Sequence, residues 1–237
     1  MARRSAAKDP ESTRVKLIEL LEEAPNHLAS DDIGEQVNCL VEISSHMREL
    51  GASIGTLLAG PEGSSGRARI LGYLRHQVGR IVHTDELMIV AGIGDYPRRI
   101  RELRADFGWP ILSGLAVRDM LLESNCKTSI DAPQFSLMAP EEYILVEDSR
   151  DQDAVRRWTL APSIKASNSD PKARLKNFIM QSLGQRVTAE ELRSVSGNDS
   201  AWPSLLRSLQ QDGVTTRSSI FGNRELPPGI FVSQLNR

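Results

Sequence analysis

The stretch RIVHTDELMIVAGIGDYPRRIRELRADFG, residues 80–108, decides the fold because the chain contains it twice. The second version, QRVTAEELRSVSGNDSAWPSLLRSLQQDG, occupies residues 185–213. Together with the residues just before them, the two versions share about a dozen identities over about forty positions. We interpret this similarity as a duplication, so the two segments are expected to fold alike.

Each copy predicts three helices followed by extended segments. The first helix ends at a glycine, Gly79 or Gly184, which is a common helix stop. A threonine, Thr84 or Thr188, then precedes acidic residues at the start of the second helix, as N-capping residues do. A proline near the start of the third helix suits its first turn. Three helices and a β-hairpin form a winged helix, so we predict a mainly α fold with small β-hairpins and two tandem winged-helix domains.

The predicted hairpins follow the third helix of each copy. Their strands are GWPILSG with EEYILVED in the first copy, and GVTTRSS with PGIFVSQL in the second. Residues 115–137 separate the two strands of the first copy. We expect this insertion to be an extended wing or a loop.

The third helix of the first copy is rich in arginine. Its four arginines lie within seven residues: Arg98, Arg99, Arg101 and Arg104. At about 100° per residue, Ile100, Leu103 and Phe107 share the face that should pack inward. The third helix of a helix-turn-helix enters the major groove, where arginine pairs with guanine or binds phosphate. We therefore predict that these four arginines contact DNA, supported by Tyr96 and the wing; the alternative is a solvated helix face.

The second copy has less charge at the corresponding positions. Its predicted outward residues are Ser204, Arg207, Ser208 and Gln211, and we select Ser204, Arg207 and Gln211 as candidate DNA-binding residues. First-helix residues that are candidates for phosphate contacts are Arg69 in the first copy and Lys172 and Arg174 in the second. The second copy either contacts DNA weakly or serves packing or dimerisation.

Four regions follow from these patterns. Residues 1–60 predict a helical region whose apolar face is available to form a homodimer or to pack on the first copy. The segment GPEGSSGR reads as a linker. The remaining regions are a first winged-helix domain at 67–148, an acidic, polar connector at 149–170, and a second winged-helix domain at 171–237.

Charge is distributed unevenly along the chain. The net formal charge is −2 over 237 residues, but residues 67–104 contain eight arginines and four acids, a net of +4. Residues 172–217 contain seven basic and four acidic residues, a net of +3. Two basic segments in an acidic chain are typical of localised contacts with nucleic acid. Two cysteines and the absence of a signal peptide or an apolar membrane-length segment predict a cytoplasmic protein.

Catalytic and metal-binding motifs do not emerge from the sequence. The four histidines have no cysteine partners at metal-ligand spacing, and no phosphate-binding glycine loop or serine elbow is present. We therefore predict no catalytic residue, no metal site and no cofactor.

The repeats also resemble a known family. The segment ILGYLRHQVGRIVHTDELMIVAGIGDYPRRIRELRADFGWPILSG, followed by APEEYILVED and RRWTLA, resembles the winged-helix regions that precede the nuclease domain in bacterial HNH restriction-endonuclease-like proteins. The second copy, which ends in ELPPGIFVSQL, is similar to the second such region. The resemblance implies that both regions bind DNA and guide a nuclease. The nuclease would begin where this sequence stops, so cleavage is not carried over to this chain.

Three functions remain open at this point. The first is double-stranded DNA binding as the target-recognition part of a restriction enzyme in phage defence, with a nuclease domain or subunit as partner. The second is transcriptional regulation, and the third is a protein-interaction scaffold, because winged helices also serve that use. The fold alone does not choose among them.

Overall fold

The computed structural model describes residues 9–60, 63, 65–122, 133–223 and 225–236, and it is mainly helical with two small antiparallel sheets. The helices are α1 Pro10–Leu28, α2 Ile33–Ala59, α3 Gly66–His76, α4 Thr84–Ala91, α5 Tyr96–Ala105, α6 Gly114–Leu122, α7 Ala154–Ser167, α8 Pro171–Met180, α9 Ala189–Ser196 and α10 Trp202–Ser208. The strands are β1 Ile81–Val82, β2 Ile111–Ser113, β3 Tyr143–Leu145, β4 Arg186–Thr188, β5 Val214–Ser218 and β6 Ile230–Leu235. Short 3-10 helices cover Pro133–Leu137, Leu209–Asp212 and Ser219–Phe221.

The chain divides into two compact units. The first contains residues 1–76 and 84–100, and the second contains residues 77–83 and 101–237. Helix α5 therefore begins in one unit and ends in the other.

In the first unit, helix α2 packs against α1, α3 and α4. Two glycines of α2 permit the contact with α4, because a Cβ atom at Gly51 would lie 2.4 Å from the carbonyl oxygen of Ile89 and one at Gly55 would lie 2.4 Å from that of Val90. Any side chain at these two positions would push the helices apart.

The two sheets have the same strand order. The first is β1-β3-β2 and the second is β4-β6-β5, with every pair antiparallel. The glycine that precedes the first strand of each sheet donates an equivalent backbone hydrogen bond. Gly79 N donates to Leu145 O and Gly184 N donates to Ser233 O, both at 2.9 Å. The mainly helical class and the antiparallel pairing of the predicted hairpin strands are confirmed. Each hairpin gains a third strand from the short segment after its first glycine.

Two local expectations differ from the structure. The insertion at 115–137 was expected to be a wing or loop, but its described beginning is helix α6, whose Ala116, Val117 and Met120 are buried. Residues 123–132 lie outside the described residues. The segment 149–170, expected to be a polar connector, contains helix α7, which buries Ala161 and Ile164.

A single hydrophobic core fills the second unit. It joins Leu112 and Met120 of the first copy, Ile164 of α7, and Phe178 and Phe231 of the second copy. Trp202 lies fully buried in this core, edge-on to Phe231 with ring centroids 5.4 Å apart. The described parts of the two repeats in this unit therefore share apolar packing.

Candidate nucleic-acid interface

Helix α5 presents two exposed arginines, Arg98 and Arg101. They are three residues apart, which places them on neighbouring positions of one helix surface. Ile100 and Leu103 are buried, so these two predicted inward residues are confirmed. Arg99 is half-buried beside them. The helix thus exposes guanidinium groups on one side and buries its aliphatic residues on the other.

Arg104, the fourth arginine of α5, does not share this exposure. Its Nε donates to the carbonyl oxygen of Ile111 at 2.6 Å, and its Nη2 donates to Glu190 Oε1 at 3.1 Å. The guanidinium also lies over the ring of Tyr143, with its central carbon 5.6 Å from the ring centroid. Arg104 was predicted to contact DNA, and in the structure its Nε and Nη2 are both engaged within the second unit.

Tyr96, predicted to support DNA contact, is half-buried at the start of α5. Its hydroxyl donates to Thr84 Oγ1 at 3.4 Å, a long hydrogen bond between the second and third helices of the first copy.

Arg69 and Arg174 occupy equivalent positions in the two copies and make equivalent contacts. Arg69 donates to the carbonyl oxygens of Val90, at 3.2 Å, and of Ala91. Arg174 donates from Nη1 to the carbonyl oxygen of Ser196 at 3.3 Å. In each case a cation from the first helix meets the carbonyl end of the second helix, where orphan acceptors and the helix dipole favour positive charge. Partial burial lowers the pKa of Arg69. Both arginines were candidates for phosphate contacts, and in the structure their guanidinium groups donate to backbone carbonyl oxygens.

The remaining candidates belong to the second copy. Ser204 and Gln211 are exposed, and the guanidinium of Arg207 lies over the ring of Phe221 at 5.1 Å from the centroid. On the first helix of this copy, Lys172 Nζ lies 3.4 Å from Asp212 Oδ2. This surface is polar and less basic than the exposed surface of α5, as the sequence predicts.

Helix α9 supplies polar residues that sequence reasoning missed, beginning with Glu190. One carboxylate oxygen, Oε1, accepts hydrogen bonds from the backbone N and the Oγ of Ser113, both at 2.6 Å, in addition to that from Arg104. Glu190 is buried. It joins the strand β2 of the first copy to the second helix of the second copy.

Glu191, the next residue of α9, lies at the centre of a buried ion pair with Arg157. The two side chains meet at 2.7 Å, and Asp151 and Gln185 accept further hydrogen bonds from the same guanidinium. Burial raises the pKa of Glu191, and the charge of Arg157 offsets part of that rise. Glu191 also completes a capping box with Thr188, which confirms the predicted N-cap of this helix.

A third polar contact of α9 involves Arg193. Its Nε donates to Asp119 Oδ2 at 2.8 Å, and the same oxygen accepts a hydrogen bond from Trp202 Nε1 at 3.3 Å. Burial raises the pKa of Asp119, with Arg193 acting in the opposite direction. The signal available in the sequence was the TAEEL capping pattern, but nothing in it indicated which partners these charges would meet.

The residues that the structure describes contain neither a metal-binding cluster nor a membrane-spanning helix. Within the described ranges, no group of three or more His, Cys, Asp or Glu side chains is placed to hold a metal ion. No helix in the same part of the chain has both the length and the apolar character to cross a bilayer.

The arrangement defines a mainly helical protein with a duplicated unit of helices and a small antiparallel sheet. Residues 67–146 match the family model described as the KpnI N-terminal domain, which links this third of the chain to a restriction endonuclease family. The matched segment runs from α3 to the end of β3 and includes the arginines of α5. Comparison with curated proteins and with solved structures gave no match.

Proposed function

We propose that the chain binds double-stranded DNA through the exposed arginines of α5 and acts as the target-recognition part of a restriction enzyme in phage defence. The observation that carries the proposal is the pair Arg98 and Arg101, exposed on one helix surface within the segment that matches the KpnI N-terminal domain. Guanidinium groups bind phosphate and pair with guanine O6 and N7 in the major groove.

The winged-helix assignment is part of this proposal. Each copy has three helices in chain order with a strand after the first helix and two strands after the third, and the strand orders are the same. The first copy also inserts α6 between its last two strands. In a winged helix the third helix reads the major groove. That role falls to α5 in the first copy, whereas α10 in the second copy offers Ser204 and, just beyond it, Gln211 as hydrogen-bonding groups.

Strand cleavage is assigned to a separate nuclease domain or subunit of the HNH type. The chain itself is proposed to have no catalytic role and to work in the cytoplasm, where the DNA that it binds is found. An inverted-repeat target would favour a transcriptional regulator instead, and failure to bind any duplex would favour an interaction scaffold.

The test is a titration of fluorescein-labelled random-sequence duplex DNA with the full chain, followed by fluorescence anisotropy. The double variant Arg98→Ala/Arg101→Ala is compared with Arg150→Ala/Arg156→Ala, which removes the same charge from two exposed positions outside α5. We expect salt-sensitive binding that only the α5 variant weakens, by about 10-fold or more. Equal weakening by both variants, or no binding by the wild type, would refute the assignment.

A further inference from the structure

Helix α2 carries an apolar stripe that its neighbours do not cover. Residues spaced alternately by four and three positions form this stripe: Ile33, Val37, Leu40, Ser44 and Met47. This spacing is the a and d pattern of a helix that packs along another helix. Ile33 is 72% exposed, Val37 51%, Leu40 53% and Met47 56%. The next residue in the series, Gly51, is buried against α4. Helix α4 therefore covers the C-terminal continuation of the stripe, whereas its apolar residues from Ile33 to Met47 remain exposed.

Helix α1 extends this open surface. A loop of four residues joins α1 to α2, and the two helices pack along each other as an αα-hairpin. On α1, Ile18 and Leu21 are exposed and lie about 90° round the helix from the residues that face α2, Thr13 and Ala24. The stripe of α2 is displaced in the same rotational sense from the half-buried residues Cys39, Ile43 and His46, which lie on the side of α2 that packs against α1. Because the two helices run in opposite directions, both apolar sets lie on the same side of the hairpin.

The other side of the hairpin has a different character. A groove there is lined mainly by polar residues, including Glu23, His27, Glu35 and Glu42. The hairpin is therefore amphipathic as a unit, with one acidic and one apolar side. Its buried residues within the two helices are small or polar, namely Thr13, Ala24, Gly51, Ser53 and Gly55. Most of its large apolar side chains remain to be covered.

The size of this surface fits a helical dimer. Fifteen residues of α2 span about 22 Å, and two packed helices are about 20 Å wide, which gives a patch of roughly 450 Å² in projection. A corrugated helix surface has a larger accessible area than its projection, and a standard interface buries about 800 Å² per partner. The largest apolar patch of a typical monomer covers about 300 to 600 Å² and is often functional, so a patch of this size is suited to binding a partner.

The charges at the two ends of the stripe indicate which molecule covers it. Asp31 lies at its N-terminal end, and Arg48 lies at its C-terminal end. Two copies aligned antiparallel, with Leu40 at the two-fold axis, place Ile33 opposite Met47 and Asp31 of each copy near Arg48 of the other. A parallel alignment would place like charges together. The stripe is therefore complementary to itself in the antiparallel arrangement.

We propose that the α1–α2 hairpin is a dimerisation element, and that two copies of this chain pair antiparallel through the stripe from Ile33 to Met47 to form a four-helix bundle. This assembly does not depend on DNA binding. It would give one protein assembly two copies of the arginine helix.

The stoichiometry test is sedimentation equilibrium of the full chain at micromolar concentrations, without DNA. We expect a dimer for the wild type and at least a 100-fold weaker association for Leu40→Glu, because two carboxylates would meet at the two-fold axis. The matched control is Leu57→Glu, the same change on the same helix at a residue that is 70% exposed and lies off the stripe. Circular dichroism of each variant checks that the helices remain folded. A monomeric wild type, or a dimer that survives Leu40→Glu, would overturn the proposal.

The orientation test exchanges charges at the two ends of the stripe. Asp31 is used because the side chain of Asp32 caps α2 by accepting a hydrogen bond from Gly34 N at 2.7 Å. Asp31→Lys and Arg48→Asp should each weaken the dimer, and the double variant should recover the wild-type affinity. If the single changes have no effect, or if the double variant is no better than either, the antiparallel arrangement is incorrect.

Discussion

Arg104 Nη2 donates to Glu190 Oε1 at 3.1 Å, which links the third helix of the first repeat to the second helix of the second repeat. Both side chains are nearly buried, at 13% and 10% exposed. Removing only one partner of an ion pair in such a position strongly destabilises the fold, because the other charge stays buried without compensation. Glu190 has the larger number of partners, since Ser113 donates to it twice.

Replacing Glu190 with alanine should therefore destabilise the second unit by about 3 kcal/mol, because three donors lose their acceptor. All three tryptophans, Trp109, Trp158 and Trp202, lie in this unit, so urea unfolding followed by tryptophan fluorescence reports on it. Glu190→Gln keeps an acceptor oxygen and should cost less. A loss below about 1 kcal/mol for the alanine variant would show that the three bonds contribute little.

The buried pair Arg157 and Glu191 predicts a non-additive mutant cycle. Arg157→Met should destabilise the second unit by about 3 to 5 kcal/mol because it leaves Glu191 buried without its cation. Adding Glu191→Gln to Arg157→Met removes the uncompensated charge and should restore part of that loss. The same fluorescence unfolding experiment measures both. If the double variant were as unstable as the sum of the two single variants, the pair would not be coupled.

Asp119 predicts a pH dependence of stability. Burial raises its pKa in the folded state above the ordinary value of 3.8, so the folded protein holds this proton more tightly than the unfolded chain does. Its contribution to stability is then greatest below pH 3.8 and is lost as the pH rises through the raised folded pKa.

Asp119→Asn removes this titration while keeping a hydrogen-bond acceptor for Arg193 and Trp202. The difference in unfolding free energy between wild type and variant should therefore shift in favour of the wild type as the pH falls from neutral through the carboxylate range. Urea unfolding at a series of pH values measures it. A difference that moves in favour of the variant on acidification would mean that the folded pKa is lowered instead.

The repeat and its helices were predictable because they depend on local signals. The first helices end at His76 and Met180, three and four residues before the predicted stops at Gly79 and Gly184. The Thr188 capping pattern does start α9, and the spacing of Ile100 and Leu103 identifies the inward side of α5. Each of these signals lies within a few residues of the structure that it determines.

The roles of the arginines were not predictable in the same way. Arg104 and Arg98 have the same chemistry and share a helix, but Arg104 contacts Glu190, 86 residues further along the chain, as well as Ile111 and Tyr143. Helix α7 was missed for a related reason. Its charged sequence resembles a connector until Arg157 meets Glu191 from a distant helix. Pairings of this kind depend on the tertiary fold and leave no local pattern.

The different surroundings of Arg98 and Arg104 predict different effects of the two residues on DNA binding. The affinity of the wild type for duplex DNA should fall steeply between about 50 and 200 mM salt, because each neutralised phosphate releases counterions. Arg98→Ala/Arg101→Ala should reduce the slope of log K against log salt by about 2, one unit for each lost phosphate contact. Arg104→Met should leave that slope unchanged, since its guanidinium is bound to Ile111 and Glu190. Anisotropy titrations at four salt concentrations with the three proteins measure the slopes. A slope reduced equally by Arg104→Met would return that residue to the DNA-binding surface, whereas a slope unaffected by the double variant would remove α5 from it.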